Sequence, residues 1–137
     1  MSPVNDIGQD SDPESTYSYV VERLNSFDLA YIHVIEGMTQ GPREVSGGFD
    51  LQILRRIFKG LYIANNGYDL ELALTARADN AADLIAFGRL YIANPDLVER
   101  LHLGARLNIP DRATFFGGGA EGYTDYPALA SAEHKTA

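Results

Sequence analysis

Three short, almost uninterrupted apolar runs, Leu29 to Ile35, Leu61 to Ala64 and Leu84 to Phe87, constrain this chain more than any other feature. Each is of strand length and nearly continuous rather than alternating, which suits a parallel strand covered on both faces. Helical punctuation separates them. Ser11-Asp12-Pro13-Glu14 supplies a capping residue, a proline for the first turn and an acid beside it, and Tyr17, Val20, Val21 and Leu24 follow at i, i+3, i+4, i+7 spacing. Asp50 is expected to cap a second helix with Ile53, Leu54, Ile57 and Phe58 as its stripe and Gly60 as its stop. Asp69 is expected to cap a third, carrying Leu70, Leu72, Ala73 and Leu74. Asn94 would cap a fourth, with Pro95 at its first position, Leu97, Val98 and Leu101 as its apolar side and Gly104 as its terminator. Helices and strands therefore alternate, which predicts an α/β fold with a parallel sheet and right-handed crossovers.

Composition narrows the function classes. At 137 residues, 45% hydrophobic and 22% charged, the chain has the make-up of one ordinary soluble domain. A net charge of -8, with no stripe of basic residues, argues against a nucleic-acid-binding surface. The absence of cysteine removes disulfides, zinc-thiolate sites and thiol catalysis together. No apolar run is long enough to span a bilayer, and Met1-Ser2-Pro3-Val4-Asn5-Asp6 is neither basic nor apolar, so a cytoplasmic protein is the expectation. The chain divides into a leading loop over 1–12, βα units over 13–104, and a closing loop and tail over 105–137. Within it, 37–48 is a long glycine-rich connection carrying Arg43, a usual place for ligand contacts. The tail, with Gly117-Gly118-Gly119 and then Gly122-Tyr123-Thr124-Asp125-Tyr126-Pro127, is expected to be an ordered loop with an aromatic anchor, fraying beyond Leu129.

Two strand-to-helix junctions carry the candidate chemistry. In Leu61-Tyr62-Ile63-Ala64-Asn65-Asn66-Gly67-Tyr68-Asp69 a strand ends in a turn that feeds a capped helix, so backbone N–H groups would point outward at a positive helix end. In Leu84-Ile85-Ala86-Phe87-Gly88-Arg89 a strand ends in glycine, which lets a ligand approach the backbone, and arginine, which supplies a fixed cation. Two consecutive junctions of this kind suit a phosphate group. Each residue also has a plainer reading. Asn66-Gly67 could simply form a left-handed turn, Gly88 could permit close strand packing, and Arg89 could pair with Asp96 or Glu121. His33, mid-strand, is expected to be a hydrogen-bonded interior histidine rather than a catalyst, with His102 and His134 facing solvent. Glu36 closes the first run and could face a site, but an acid at a strand end is usually just solvated, and that is the expectation here. Ser46-Gly47-Gly48 lacks the strand-to-helix elbow of a serine hydrolase, the triple glycine at Gly117 lacks the lysine of a P-loop, and no histidine pair has metal-ligand spacing.

Longer strings point further. Ser2-Pro3, Asp10-Ser11-Asp12-Pro13-Glu14, Ala30-Tyr31-Ile32-His33-Val34-Ile35-Glu36, Phe87-Gly88-Arg89, Ile92-Ala93-Asn94-Pro95-Asp96-Leu97, Thr114-Phe115-Phe116 and Gly122-Tyr123-Thr124-Asp125-Tyr126-Pro127 together resemble the Old Yellow Enzyme family of FMN-dependent alkene reductases. The resemblance runs from about Ser2 to Pro127. It implies about the last three βα units and the closing tail of a (β/α)₈ TIM barrel that binds FMN at the carboxyl ends of its strands. NAD(P)H would reduce the flavin, which would pass hydride to an activated C=C bond of an enone, maleimide or similar electrophile. By the same resemblance, the backbone of Asn66, Gly67 and Tyr68 and the segment from Ala86 through Gly88 to Arg89 would hold the FMN phosphate. Phe116 stands where a substrate-lining tyrosine is common, so its aromatic wall remains and its hydroxyl does not. Asn66 replaces a frequent glycine, and Gly37 replaces the usual proline after Glu36. The family's carbonyl-binding His-His or His-Asn pair, its tyrosine proton donor, and the arginine, threonine and glutamine beside the flavin ring have no counterpart here.

Three parallel strands cannot close a barrel, so the surface that would face its centre is expected to be bare and two strand edges unpaired. The isolated chain is therefore expected to be marginal, poor in flavin, or associated with itself or with a missing N-terminal barrel portion. The alternative is a non-catalytic, truncated α/β module that binds a phosphate ligand or a protein partner.

Overall fold

The computed structural model describes residues 10–37, 43 and 49–129. The expectations for residues 1–9, Ser46-Gly47-Gly48, His134 and the chain beyond Leu129 lie outside the described residues. The chain forms two compact units, one up to Ala86 and one from Phe87 onward.

The first unit runs α1 (Pro13–Leu24), β1 (Tyr31–Ile35), α2 (Gln52–Ile57), β2 (Leu61–Asn65), α3 (Leu70–Ala78) and β3 (Leu84–Ala86). The strands pair in parallel in the order β1-β2-β3. Register places Tyr31 beside Leu61, His33 beside Ile63 and Ile35 beside Asn65, and in turn Ile63 beside Leu84 and Asn65 beside Ala86. Two caps act where the sequence puts them. Asp12 accepts the Ser15 N–H with Pro13 at the first position, and Asp69 accepts the Leu72 N–H at 2.8 Å. Asp50 accepts the Gln52 N–H at 2.9 Å at the start of α2. That helix stops at Ile57, three residues before the expected Gly60, because Phe58 turns extended. Gly60 is required by space instead: a Cβ there would lie 2.7 Å from the Phe58 ring and 2.9 Å from the Leu29 carbonyl.

One face of the sheet is covered and the other is open. Ile32, Val34, Tyr62 and Ala64 are buried, together with Val21, Leu54, Phe58, Ala73 and Ala76 from the helical layer. On the opposite face Tyr31, Ile35, Leu61 and Leu84 are 54%, 42%, 47% and 49% exposed. The continuous apolar runs thus make strands suited to two covered faces, of which this unit covers one. His33 lies on the open face. It is hydrogen-bonded, with Nε2 at 3.0 Å from Asn65 Nδ2, but it is exposed rather than interior, because its strand position alternates outward. In α3 the small Ala73 and Ala76 face inward, while Leu74 and Leu70 are exposed.

The second unit corrects one helix assignment. Residues read as approach to a helix form α4 (Arg89–Ala93), and α5 (Leu97–Leu103) has Asp96 rather than Asn94 at its N-cap position. Asn94 ends α4, donating to the Leu90 and Asn108 carbonyls and accepting the Asn108 N–H at 2.7 Å. Gly104 terminates α5 at φ 62, as its position predicts, while Val98 is exposed. Among the described residues no helix is long and apolar enough to cross a membrane.

Candidate functional site

The first junction sits at the carboxyl end of β2. Asn66 and Gly67 both take positive φ, 113 and 67, so the chain reverses sharply before Asp69 caps α3. Gly67 is exposed and a Cβ there would meet nothing within 4 Å, so its conformation, not crowding, calls for glycine. Asn66 holds a φ that costs a non-glycine residue on the order of 1–3 kcal/mol, and its buried side chain donates to the Glu36 carbonyl at 2.6 Å. Among the described residues neither the Gly67 nor the Tyr68 backbone N–H is hydrogen-bonded. Asn65 pairs with Ala86, so the turn and the end of β3 share one end of the sheet.

Beside the turn lies a buried polar cluster. Glu36 is only 5% exposed. Its Oε2 accepts from Arg43 Nη2 at 2.6 Å and from the Tyr68 hydroxyl at 2.7 Å, and Arg43 also donates to that hydroxyl. The Arg43 guanidinium lies 4.1 Å over the Tyr68 ring, a cation–π contact. Burial first, and then the bond to Glu36, push the Tyr68 phenol well above its ordinary value, so it stays protonated and able to donate. The expectation of a solvated Glu36 is overturned, because an ion pair and a phenol donor compensate its burial.

The second junction falls at the boundary of the units, with Ala86 ending β3 and Gly88 and Arg89 opening the next unit. A Cβ on Gly88 would meet nothing within 4 Å, so close strand packing does not explain this glycine. Arg89 is exposed and forms no ion pair among the described residues. Asp96, one of its two candidate partners, holds Arg100 instead at 2.6 Å. Phe116 belongs to the second unit, is 97% exposed, and sits at φ 64 with its N–H donating to the Tyr123 hydroxyl at 2.9 Å. It meets Phe115 edge-on at 6.1 Å. The expected site residues therefore divide, with Asn66, Gly67, Tyr68 and Ala86 in the first unit and Gly88, Arg89 and Phe116 in the second.

The tail is anchored as its composition predicts. Tyr126 accepts the Asp111 N–H at 2.7 Å, and Asp96 accepts the Leu129 N–H at 2.7 Å. Sequence reasoning missed the residue that organises it. Arg100 is buried at 4% exposure, pairs with Asp96, and donates to the Arg106 and Pro127 carbonyls at 2.6 and 2.7 Å. The i, i+4 spacing of Asp96 and Arg100 was the available signal. Glu36 and Arg43 were missed for another reason: they are seven residues apart across a loop, so no local pattern pairs them.

Residues 1–108 match the model of the NADH:flavin oxidoreductase / NADH oxidase family. The chain belongs to that family. Its sequence is 46% identical over 125 residues to putative 12-oxophytodienoate reductase 6 of Oryza sativa subsp. japonica, covering 88% of this chain and 32% of that protein. Among solved structures, this NADH:flavin oxidoreductase family member is similar to morphinone reductase in complex with tetrahydroNAD, at a TM-score of 0.76 and 42% identity over 88% of this chain and 32% of that one. It is also similar to the old yellow enzyme from Trypanosoma cruzi, at a TM-score of 0.78 and 34% identity over 88% of this chain and 31% of that one. The chain spans about a third of the length of these relatives. Its three-stranded parallel sheet with intervening helices is accordingly part of the family's TIM barrel.

Proposed function

We propose that this chain is the FMN-phosphate-binding part of an Old Yellow Enzyme-like NAD(P)H-dependent oxidoreductase acting on activated C=C bonds. The observation that carries this reading is the Asn66-Gly67 turn, which just ahead of a capped helix leaves the Gly67 and Tyr68 N–H groups without a hydrogen bond among the described residues. Arg89 supports it independently: an exposed cation one residue after Gly88, with no acid paired to it among the described residues. Each kind of donor, a backbone N–H at a helix start and a guanidinium, suits a phosphate dianion in its own right. When bound, FMN would supply the hydride-transfer chemistry between NAD(P)H and an electrophilic alkene. This chain's own part is to bind and orient. Backbone N–H groups from Gly67 and Tyr68 would donate to the phosphate oxygens, the Ala86–Gly88 backbone would let the group approach, and Arg89 would neutralise it. Phe116, exposed and aromatic, would offer a wall to a substrate.

Replacing Arg89 by Ala is expected to weaken FMN binding on the order of 10–100-fold, the loss of one charge-assisted contact. Riboflavin, which lacks the phosphate, should bind as before. Fluorescence titration of both ligands reads the difference, and unchanged FMN affinity in the variant would count against the assignment.

The open sheet face favours a second reading, a non-catalytic module that engages a protein partner through Tyr31, Leu61 and Leu84. The partner would be the remaining strands of a barrel or another copy of this chain. A visible flavin band with NADPH-dependent enone reduction supports the first reading. A colourless protein whose sedimentation depends on concentration supports the second.

A further inference from the structure

Glu36 grips the Asn66-Gly67 turn from both sides. Its N–H donates to the Asn65 carbonyl at 2.9 Å, its own carbonyl accepts Asn66 Nδ2 at 2.6 Å, and its Oε2 accepts the Tyr68 hydroxyl at 2.7 Å. One residue at the end of β1 thus ties three of the four residues from Asn65 to Tyr68, leaving out only the exposed Gly67. The turn has need of such a brace, because Asn66 stands at φ 113 and relaxes unless its surroundings hold it. A carboxylate beside an anion site would repel the anion if its role were electrostatic. Here Arg43 neutralises it at 2.6 Å, and the carboxylate is spent on the phenol rather than aimed at a ligand.

We infer that Glu36 is a positioning residue for phosphate recognition, holding Asn66 and Tyr68 so that the Gly67 and Tyr68 N–H groups are presented together to a phosphate oxyanion. Tyr68 is its lever: the hydroxyl bonded to Glu36 belongs to the residue whose own N–H would meet the ligand. This inference rests on the FMN reading proposed above. No group on Glu36 touches the ligand; it acts through the turn.

The test compares FMN with riboflavin, by flavin fluorescence titration, in the full chain and three variants. Tyr68→Phe removes the hydroxyl and keeps the ring under Arg43. Its FMN affinity is expected to fall on the order of tenfold with riboflavin affinity unchanged. Glu36→Ala should lose at least as much, whereas Glu36→Gln, which keeps an acceptor for the phenol, should restore most of the preference for FMN. Thermal melts establish which variants are folded, and Tyr68→Phe decides alone if Glu36→Ala is not. A wild-type ratio of FMN to riboflavin affinity in folded Tyr68→Phe overturns the inference while leaving the FMN reading intact. So does a Glu36→Gln variant as impaired as Glu36→Ala, which would point to charge rather than position. If the unaltered chain shows no preference for FMN over riboflavin, the FMN reading fails and this inference with it.

Discussion

Replacing Arg100 by Met is expected to destabilise the second unit by about 3–5 kcal/mol, the usual consequence of breaking a buried ion pair from one side. The guanidinium is bonded three ways, to the Asp96 carboxylate and to the Arg106 and Pro127 carbonyls. Methionine fills much of the volume but satisfies none of these acceptors, and Asp96 would be left mostly buried without its cation. The tail should loosen first, since Pro127 and Leu129 are both fastened through this pair. Urea unfolding and amide exchange at Leu129 read the two effects. An unchanged midpoint with a protected Leu129 amide would sink the idea. The same pair gives a pH dependence. Burial acting alone would raise the Asp96 carboxyl, but the bonds from Arg100 and from the Leu129 N–H outweigh it and hold the group below its ordinary 3.8. A depressed carboxylate stabilises fully above its unfolded value, so the contribution should be intact above that pH and lost as pH falls through the lowered value. The protection factor of the Leu129 amide, its exchange rate relative to the intrinsic rate at each pH, should hold from pH 6 downward and fall only at the acid end near pH 2.

Cutting Leu54 back to Ala is expected to cost the first unit about 2–5 kcal/mol, the transfer loss of the side chain plus a cavity. Leu54 is fully buried in a helix of only six residues, whose Ile53 and Ile57 are half-buried at best. The core of this unit lies on one side of the sheet, so fewer neighbours can collapse into the gap than in a sheet packed on both faces. Amides of β1 and β2 should lose exchange protection together, because α2 is the crossover between them. Protection unchanged in both strands would show that Leu54 is not a keystone of this layer.

The two junctions were unequally legible. Asp69 and Gly67 announce themselves locally, because capping and positive φ are properties of single residues with strong side-chain preferences. Gly88-Arg89 is equally visible as a motif, and its plainer readings are weakened only by the tertiary structure, which leaves empty space at Gly88 and bonds Asp96 to Arg100. Asn94 illustrates the opposite case. An asparagine before a proline is a good capping signal, yet here its side chain is fully buried and spent on Leu90 and Asn108, so α5 starts after Asp96 with no side-chain cap. Tertiary bonds to a residue 14 positions away outweighed a local preference.

By itself, the sequence determined the parallel α/β order, the caps at Asp12 and Asp69, the turn at Asn66-Gly67 and, through long matching strings, the family. These are local or whole-pattern properties, written in periodicity and in residues whose backbone preferences differ sharply. The bare sheet face was also expected from the strand count, but the tertiary structure alone decided that His33 stands on it and that Glu36 and Arg100 are buried and bonded. Burial of a charge depends on which distant groups arrive to compensate it, and for Glu36 those are Arg43 and Tyr68, 7 and 32 residues away. No spacing rule brings such partners together; the register of β1 against β2 does.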